Sequence, residues 1–338
     1  MTAAPARVRK VKVQRSPDSM TNKLKYLVYM LRIRRVEFRI AELPILIIPI
    51  LLLIQDTSIL KSLLFWEGIL IFFLLFAFGD MINCLADRDL DAVYKPHLSE
   101  AVYGLGVRFV TFQVVATALV ALLMSAHLSW RLQRWQLFAL VAVGLLLGAA
   151  YSVKPIQLKG RGLAQLFCLW LIIFVGPILF ISLLISSSPS WPILIFAAAY
   201  GALQMGVILV NTAEDYPEDL EAHIKTTIVA LGLHRGIGLA FWLALLGSAG
   251  VLIILGVLLW QWDGGVLWLI MMLPATSCGY VTLQIWKLRR TIKEQSLAVA
   301  IKTVKQTARS VPVWLTLVAW SMVFVALALH TVKFRPGP

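Results

Sequence analysis

Charge is what this sequence has least of. Only 14% of its 338 residues are Asp, Glu, Lys or Arg, where a soluble globular chain carries about 25%. Apolar residues make up 60%, which excludes an ordinary soluble domain and leaves a polytopic membrane protein. Cysteine is also scarce. Cys84, Cys168 and Cys278 have neither metal spacing nor a paired pattern, which excludes a disulfide scaffold and reads as three small buried residues. The five histidines are scattered and none is assigned to a metal. The N-terminus has no early apolar core, so no cleavable signal peptide is expected. Acids are outnumbered 17 to 31 by Lys and Arg, for a net charge of +14. A basic tail from Arg7 to Arg39 lying on anionic lipid accounts for that excess without a nucleic-acid partner.

Long apolar runs are what the sequence has in quantity. Nine of them approach the roughly 20 residues that cross a hydrocarbon core: 37–55, 65–86, 107–128, 135–151, 163–185, 191–212, 236–260, 264–284 and 312–330. The first is the weakest, because Arg39 and Glu42 interrupt it. With the N-terminus inside, 26 of the 31 Lys and Arg residues fall on the inner side and 5 on the other. The positive-inside rule then predicts a cytoplasmic N-terminus and a C-terminus across the membrane. The expected division is a basic tail and interfacial segment at 1–36, a transmembrane domain at 37–330 and a short tail at 331–338.

The scarce acids are not scattered. Eight of the 17 lie in two windows, three in Asp87–Asp91 and five in Glu214–Glu221. Asn83, Asp87 and Asp91 recur every four residues, which places them on one face of a helix with a drift of about 40° per step. The same spacing returns 128 residues later as Asn211, Asp215 and Asp219. The first copy ends span two and the second ends span six, so both meet the same side of the membrane. The chain therefore reads as all-α, with two tandem four-helix repeats plus a ninth helix around a central cavity. One acidic helix end is usually a solvated end. Two matched copies on one membrane face make coincidence the minor reading. Facing carboxylates repel in a low dielectric. Mg²⁺ resolves that conflict, since it is held by one or two carboxylates plus substrate phosphates. The two clusters thus suggest a metal-bridged diphosphate, with the Asn side chains adding neutral oxygens. Glu42, Glu67 and Asp80 lack the repetition and read as interfacial or packing residues.

A diphosphate also calls for cations. Lys95 follows Asp91 by four residues, and Pro96 ends the helix by Tyr94, which puts Lys95 on the lip of the cavity. "YSVKPIQLKGRG", from Tyr151 to Gly162, adds Lys154, Lys159 and Arg161 on the same side. Inner loops carry Lys and Arg in any case; their company with the acids is what singles these out. The seven basic residues from Lys287 to Arg309 lack such company and read as an amphipathic loop on lipid.

These motifs resemble the UbiA superfamily of intramembrane prenyltransferases, over roughly residues 25–330. The resemblance rests on the two Asn-x-x-x-Asp-x-x-x-Asp motifs and "YSVKPIQLKGRG". It implies that Mg²⁺ ions held by Asn83, Asp87, Asp91, Asn211, Asp215 and Asp219 bind an isoprenoid diphosphate. It implies that Lys95, Lys154, Lys159 and Arg161 neutralise the leaving diphosphate, that Tyr151 faces the carbocation, and that a small hydrophobic acceptor captures it. The sequence departs from many members after each motif, at Lys95-Pro96-His97 and at His223-Ile224 before Thr226 and Thr227. Those loops would shape acceptor entry, so aromatic, macrocyclic and lipid acceptors all stay open, as do chain length and oligomeric state. Two other readings stand beside transfer. A terpene cyclase would use the same ionisation without an acceptor. A transporter with an acidic vestibule would place charges nearer the midplane.

Overall fold

The computed structural model describes residues 19–261 and 265–333. The described residues are almost entirely helical, with one isolated bridge between Arg161 and Lys225. Among the described residues, eight helices are long and apolar enough to cross a membrane, one fewer than the nine expected. The first expected span forms α2, Arg39–Leu53, of only 15 residues. Arg39 and Glu42 occupy its first turn and Pro44 and Pro49 its interior, so by length and composition it is not among the eight, although it runs from the Arg39–Asp80 contact at one end to Leu52 and Leu53 in a cavity shared with Ile185 and Trp191 at the other. It is preceded by α1, Ser19–Arg32, which docks through the Tyr29 hydroxyl on Glu100 at 2.5 Å. The basic tail before residue 19 lies outside the described residues.

The spans proper begin with α3, Leu63–Tyr94. At 32 residues it is about 48 Å long, so it outruns a hydrocarbon core of about 30 Å and carries its polar end beyond it. Pro96 opens the short α4, Pro96–Leu105, because its missing N–H costs nothing in a first turn. Then come α5, Val107–Leu132, and α6, Trp135–Ser152. The fourth of these eight spans is α7, Leu163–Leu169, a π-helical turn Trp170–Val175, and α8, Gly176–Ile185. Pro177 explains the wide turn: its ring would strike the carbonyl four residues back, and an added residue relieves the clash.

The second half continues with α9, Trp191–Glu214, the most enclosed of the eight spans. The short α10, Tyr216–Glu221, and α11, Thr227–Leu231, lead into α12, Leu233–Gln261. The backbones of α9 and α12 come close at Gly247, where an added Cβ would stand 2.3 Å from Leu203 N. Small residues permit such approaches where no hydrophobic drive separates helix from lipid. The chain ends with α13, Met272–Lys293, the amphipathic α14, Leu297–Ala308, and α15, Val311–Lys333. The first residue of the expected span 264–284 lies outside the described residues. Around α9 the helices α12, α14, α15 and the π-helical turn pack, and α3 is flanked by α4, α5 and α6.

Candidate active site

The two acid motifs share a spacing and not a backbone. Along α3 the helix runs unbroken through Asn83, Asp87 and Asp91, so these stack on one face as expected. In the second copy α9 stops at Glu214, Asp215 sits in the break, and Asp219 belongs to α10. The expected single face is therefore interrupted. Pro217 is the cause: it has no N–H for the ladder, and its ring crowds the carbonyl four residues back in α9. The new helix starts with Asp219 N–H donating to the Asp215 carbonyl at 2.8 Å.

Lysines join the motifs. Lys95, at the end of α3, reaches across to Asp215 with Nζ–Oδ2 at 3.1 Å. Beside it the Tyr94 hydroxyl meets Glu221 at 3.3 Å. Lys159, from the loop after α6, is buried and pairs with Asp87. Asp91 is buried nearby and feels the charges of Asp87, Lys95 and Lys159. On the second half, burial pushes the Asp219 carboxyl up to about 6, with the Thr226 hydroxyl and Lys95 pulling against it and Asp215 adding to the rise. Lys95 thus lies within electrostatic reach of both motifs.

Not every basic residue singled out by sequence joins the acids. Arg161 is exposed, and its guanidinium donates to the carbonyls of Ile156 at 2.5 Å and Pro155 at 3.0 Å. It folds its own loop. Lys154 is exposed on the same loop, and among the described residues no acid pairs with it. Asn211 is likewise exposed at the end of α9. The Lys287–Arg309 region does have acid company, contrary to the expectation: Lys305 of α14 holds Glu218 of α10 at 2.5 Å.

Below the charges lies a cavity of about 360 Å³. Its walls are apolar residues of α3, α6, the π-helical turn and α8, including Phe72, Phe76, Leu147 and Phe180. Asn83, Tyr151 and Ser152 line it at the motif end, where the Ser152 hydroxyl donates to Asn83 Oδ1 at 3.2 Å. Tyr151 thus stands beside Asn83, one turn from Asp87. Two unforeseen residues brace the site. Gln165 accepts from Thr227 N at 2.7 Å, and the Thr227 hydroxyl donates to the Gly162 carbonyl at 2.9 Å. With Gly162 N donating to the Lys225 carbonyl at 2.7 Å, the basic loop and the second-motif loop are stitched together. Nothing in the spacing of Gln165 announces this.

The donor set is hard oxygen, carboxylate and amide, which suits Mg²⁺ rather than a thiol or imidazole metal. Among the described residues, no three Asp, Glu, His or Cys side chains stand close enough to cage an ion unaided. That also suits Mg²⁺, which takes few protein ligands and completes its shell with water and phosphate.

The model of the UbiA prenyltransferase family matches residues 43–304, most of the chain. The chain belongs to that family. Two curated relatives are similar over shorter stretches. One is a 2-carboxy-1,4-naphthoquinone phytyltransferase of Synechocystis, 32% identical over 111 residues. The other is the bacteriochlorophyll synthase 33 kDa chain of Rhodobacter capsulatus, 28% identical over 158 residues. These matches cover 32% and 44% of this chain, and 35% and 49% of the relatives' own lengths. Among solved structures, one of digeranylgeranylglyceryl phosphate synthase matches 90% of this chain and 99% of its own, with a TM-score of 0.61 at 16% identity. A UbiA homologue from Archaeoglobus fulgidus bound to DMAPP and Mg²⁺ matches 87% and 99%, with a TM-score of 0.55 at 18% identity. At these identities the UbiA family structures establish a shared fold. Family and apolar helices together make this a multi-pass membrane protein.

Proposed function

We propose that the protein is a Mg²⁺-dependent intramembrane prenyltransferase, which ionises an isoprenoid diphosphate between its two Asp motifs and passes the prenyl group to a hydrophobic acceptor. The observation that carries this reading is the Lys95–Asp215 bridge between the two motifs, gathered with Lys159–Asp87 above an apolar cavity that ends on Asn83 and Tyr151. A diphosphate with a greasy tail has the same two-part chemistry.

Asp87, Asp91, Asp215 and Asp219, with Asn83 and Asn211, would hold the metal. When bound, Mg²⁺ supplies positive charge where the leaving diphosphate develops its negative charge. Lys95 and Lys159 hold two carboxylates in place and stand ready to turn toward phosphate oxygens. Lys154 and Arg161, on the adjacent exposed loop, would act only after that loop moves. The apolar walls hold the isoprenoid chain and exclude water from the cation, and the Tyr151 ring offers its face to it. The names of the curated relatives favour quinone or tetrapyrrole acceptors. With α2 taken as a ninth crossing, the inner-side excess of Lys and Arg supports a cytoplasmic N-terminus and cytoplasmic site loops, with the C-terminus opposite.

The test is diphosphate release by the purified full chain from isoprenoid diphosphates of graded length, with and without Mg²⁺ and candidate acceptors. Metal-dependent release coupled to a prenylated acceptor is expected. A cyclic hydrocarbon formed without acceptor would replace this reading with cyclisation, and release indifferent to Mg²⁺ would defeat it.

A further inference from the structure

Away from its motif end, the cavity wall is apolar except for one patch, which the diphosphate chemistry leaves unused. Arg35, Glu42 and Asp80 line it together. Arg39 joins them, donating to Asp80 Oδ2 at 2.5 Å, to Glu42 and to the Arg34 carbonyl at 2.6 Å. Sequence patterning reads Glu42 and Asp80 as interfacial or packing residues; the fold sets both on the cavity wall. Asp80 precedes Asp87 by two turns of the same α3 face, about 10 Å along the helix. Asn83, at the cavity's motif end, lies one turn away. A diphosphate held at Asp87 would therefore direct its first carbons toward the level of Asp80.

Burying charge is costly, and a cluster of this kind can serve only to pin one helix to another. Three features go beyond pinning. One guanidinium serves two carboxylates, and each makes a single hydrogen bond among the described residues, although a carboxylate offers about four acceptor positions. The unused positions belong to residues that line an open space rather than a sealed core. Arg35, in the same wall, has a buried Nε with no hydrogen-bond partner among the described residues, its nearest acid being Glu37 at 3.7 Å. Unpaired polar capacity inside an apolar cavity is worth keeping only if a ligand satisfies it.

We infer that Asp80 and Glu42 form the head-group subsite for the acceptor, and that the acceptor presents a free hydroxyl or N–H to them beside the reacting carbon. This rests on the prenyl-transfer reading and narrows it, because an acceptor lacking such a donor would leave both carboxylates unsatisfied. Sites built to hydrogen-bond a substrate group discriminate strongly against analogues that lack it.

The test offers the full chain in lipid nanodiscs three hydroxylated acceptors, a monocyclic phenol, a naphthalene diol and a diacylglycerol, each beside its methyl ether. Diphosphate release and prenylated product are both measured. At least one free hydroxyl compound should be prenylated about tenfold or more faster than its ether. Asp80→Asn should raise the KM for that acceptor by about tenfold and lower transfer more than acceptor-free diphosphate release. Asp80→Glu, which keeps the carboxylate, should restore part of the affinity. Equal use of ether and hydroxyl, an unchanged KM in Asp80→Asn, or diphosphate release without prenylation of any hydroxyl compound would overturn the inference. If Asp80→Asn fails to fold, Glu42→Gln in the same KM assay decides, a rise in KM supporting the subsite and an unchanged KM overturning it. Absence of any diphosphate release from the unaltered chain would instead count against the prenyl-transfer reading itself.

Discussion

The two halves present the same three side chains, one Asn and two Asp, at the same spacing on opposite kinds of support. In the first half, Asn83, Asp87 and Asp91 ride one continuous helix, and Asp87 is locked to a lysine whose side chain is 8% exposed. In the second half the chain breaks at Asp215, whose partner Lys95 is 44% exposed. Asp219 sits on a six-residue helix held from outside by Lys305 and Thr226. One motif is a fixed rail and the other a hinged piece. On the prenyl-transfer reading, a site that admits a bulky lipid diphosphate is served by one rigid reference and one part able to adjust.

The contrast can be broken most severely at its central carboxylates. Asp87→Asn and Asp215→Asn should each lower turnover by about a thousandfold, the scale of removing a group that organises charge in a transition state. Their stabilities should differ. Asp87→Asn strands a buried Lys159 and should cost about 3 kcal/mol, whereas Asp215→Asn frees a half-exposed lysine and should cost under about 1 kcal/mol. Thermal unfolding of both variants in detergent reads that difference; equal shifts would erase the distinction between rail and hinge.

Restoring helical character to the hinge should have the next largest effect. Pro217→Ala lets α9 run on toward α10 and should lower turnover by about tenfold through misplacement of Asp219. The matching change at Pro96, beyond the last acid of the rail, should do less. Steady-state kinetics of the two variants side by side gives the ratio.

Protonation at the hinge should come next. Burial holds Asp219 at about 6 before metal binds. Above that pH the carboxylate is free to ligate, and below it a proton competes, so apparent Mg²⁺ affinity should fall by about tenfold between pH 6 and pH 5. Asp219→Asn should flatten that profile. The smallest effect belongs to the brace. Lys305→Met releases Glu218 and should lower turnover about threefold while changing stability by less than about 1 kcal/mol.

Much of this was legible in the sequence, for physical reasons. Eight spans follow from hydropathy because lipid demands long unbroken apolar helices, and α2 escaped that logic through its two prolines and the charges of its first turn. The Asn83–Asp91 face follows from helical period. The break at Asp215 was signalled only by Pro217, since spacing alone says nothing about whether a helix continues. Lys159 and Lys95 could be anticipated as neighbours of the acids, but nothing distinguished them from Lys154 and Arg161 until the loop's own hydrogen bonds were known. Contacts such as Arg39 with Asp80, 41 residues apart, and Lys305 with Glu218, 87 apart, depend on helix packing that local pattern does not encode.

The central claim is that both halves grip one ligand. Titration calorimetry of a non-reactive isoprenoid thiodiphosphate with Mg²⁺, on the unaltered chain, Asp87→Asn, Asp215→Asn and the double variant, tests it most directly. Two motifs on one diphosphate should be strongly non-additive, the double variant binding no more weakly than the worse single one, with a coupling above about 1.4 kcal/mol. Losses that simply add would show two independent acidic ends and contradict the account.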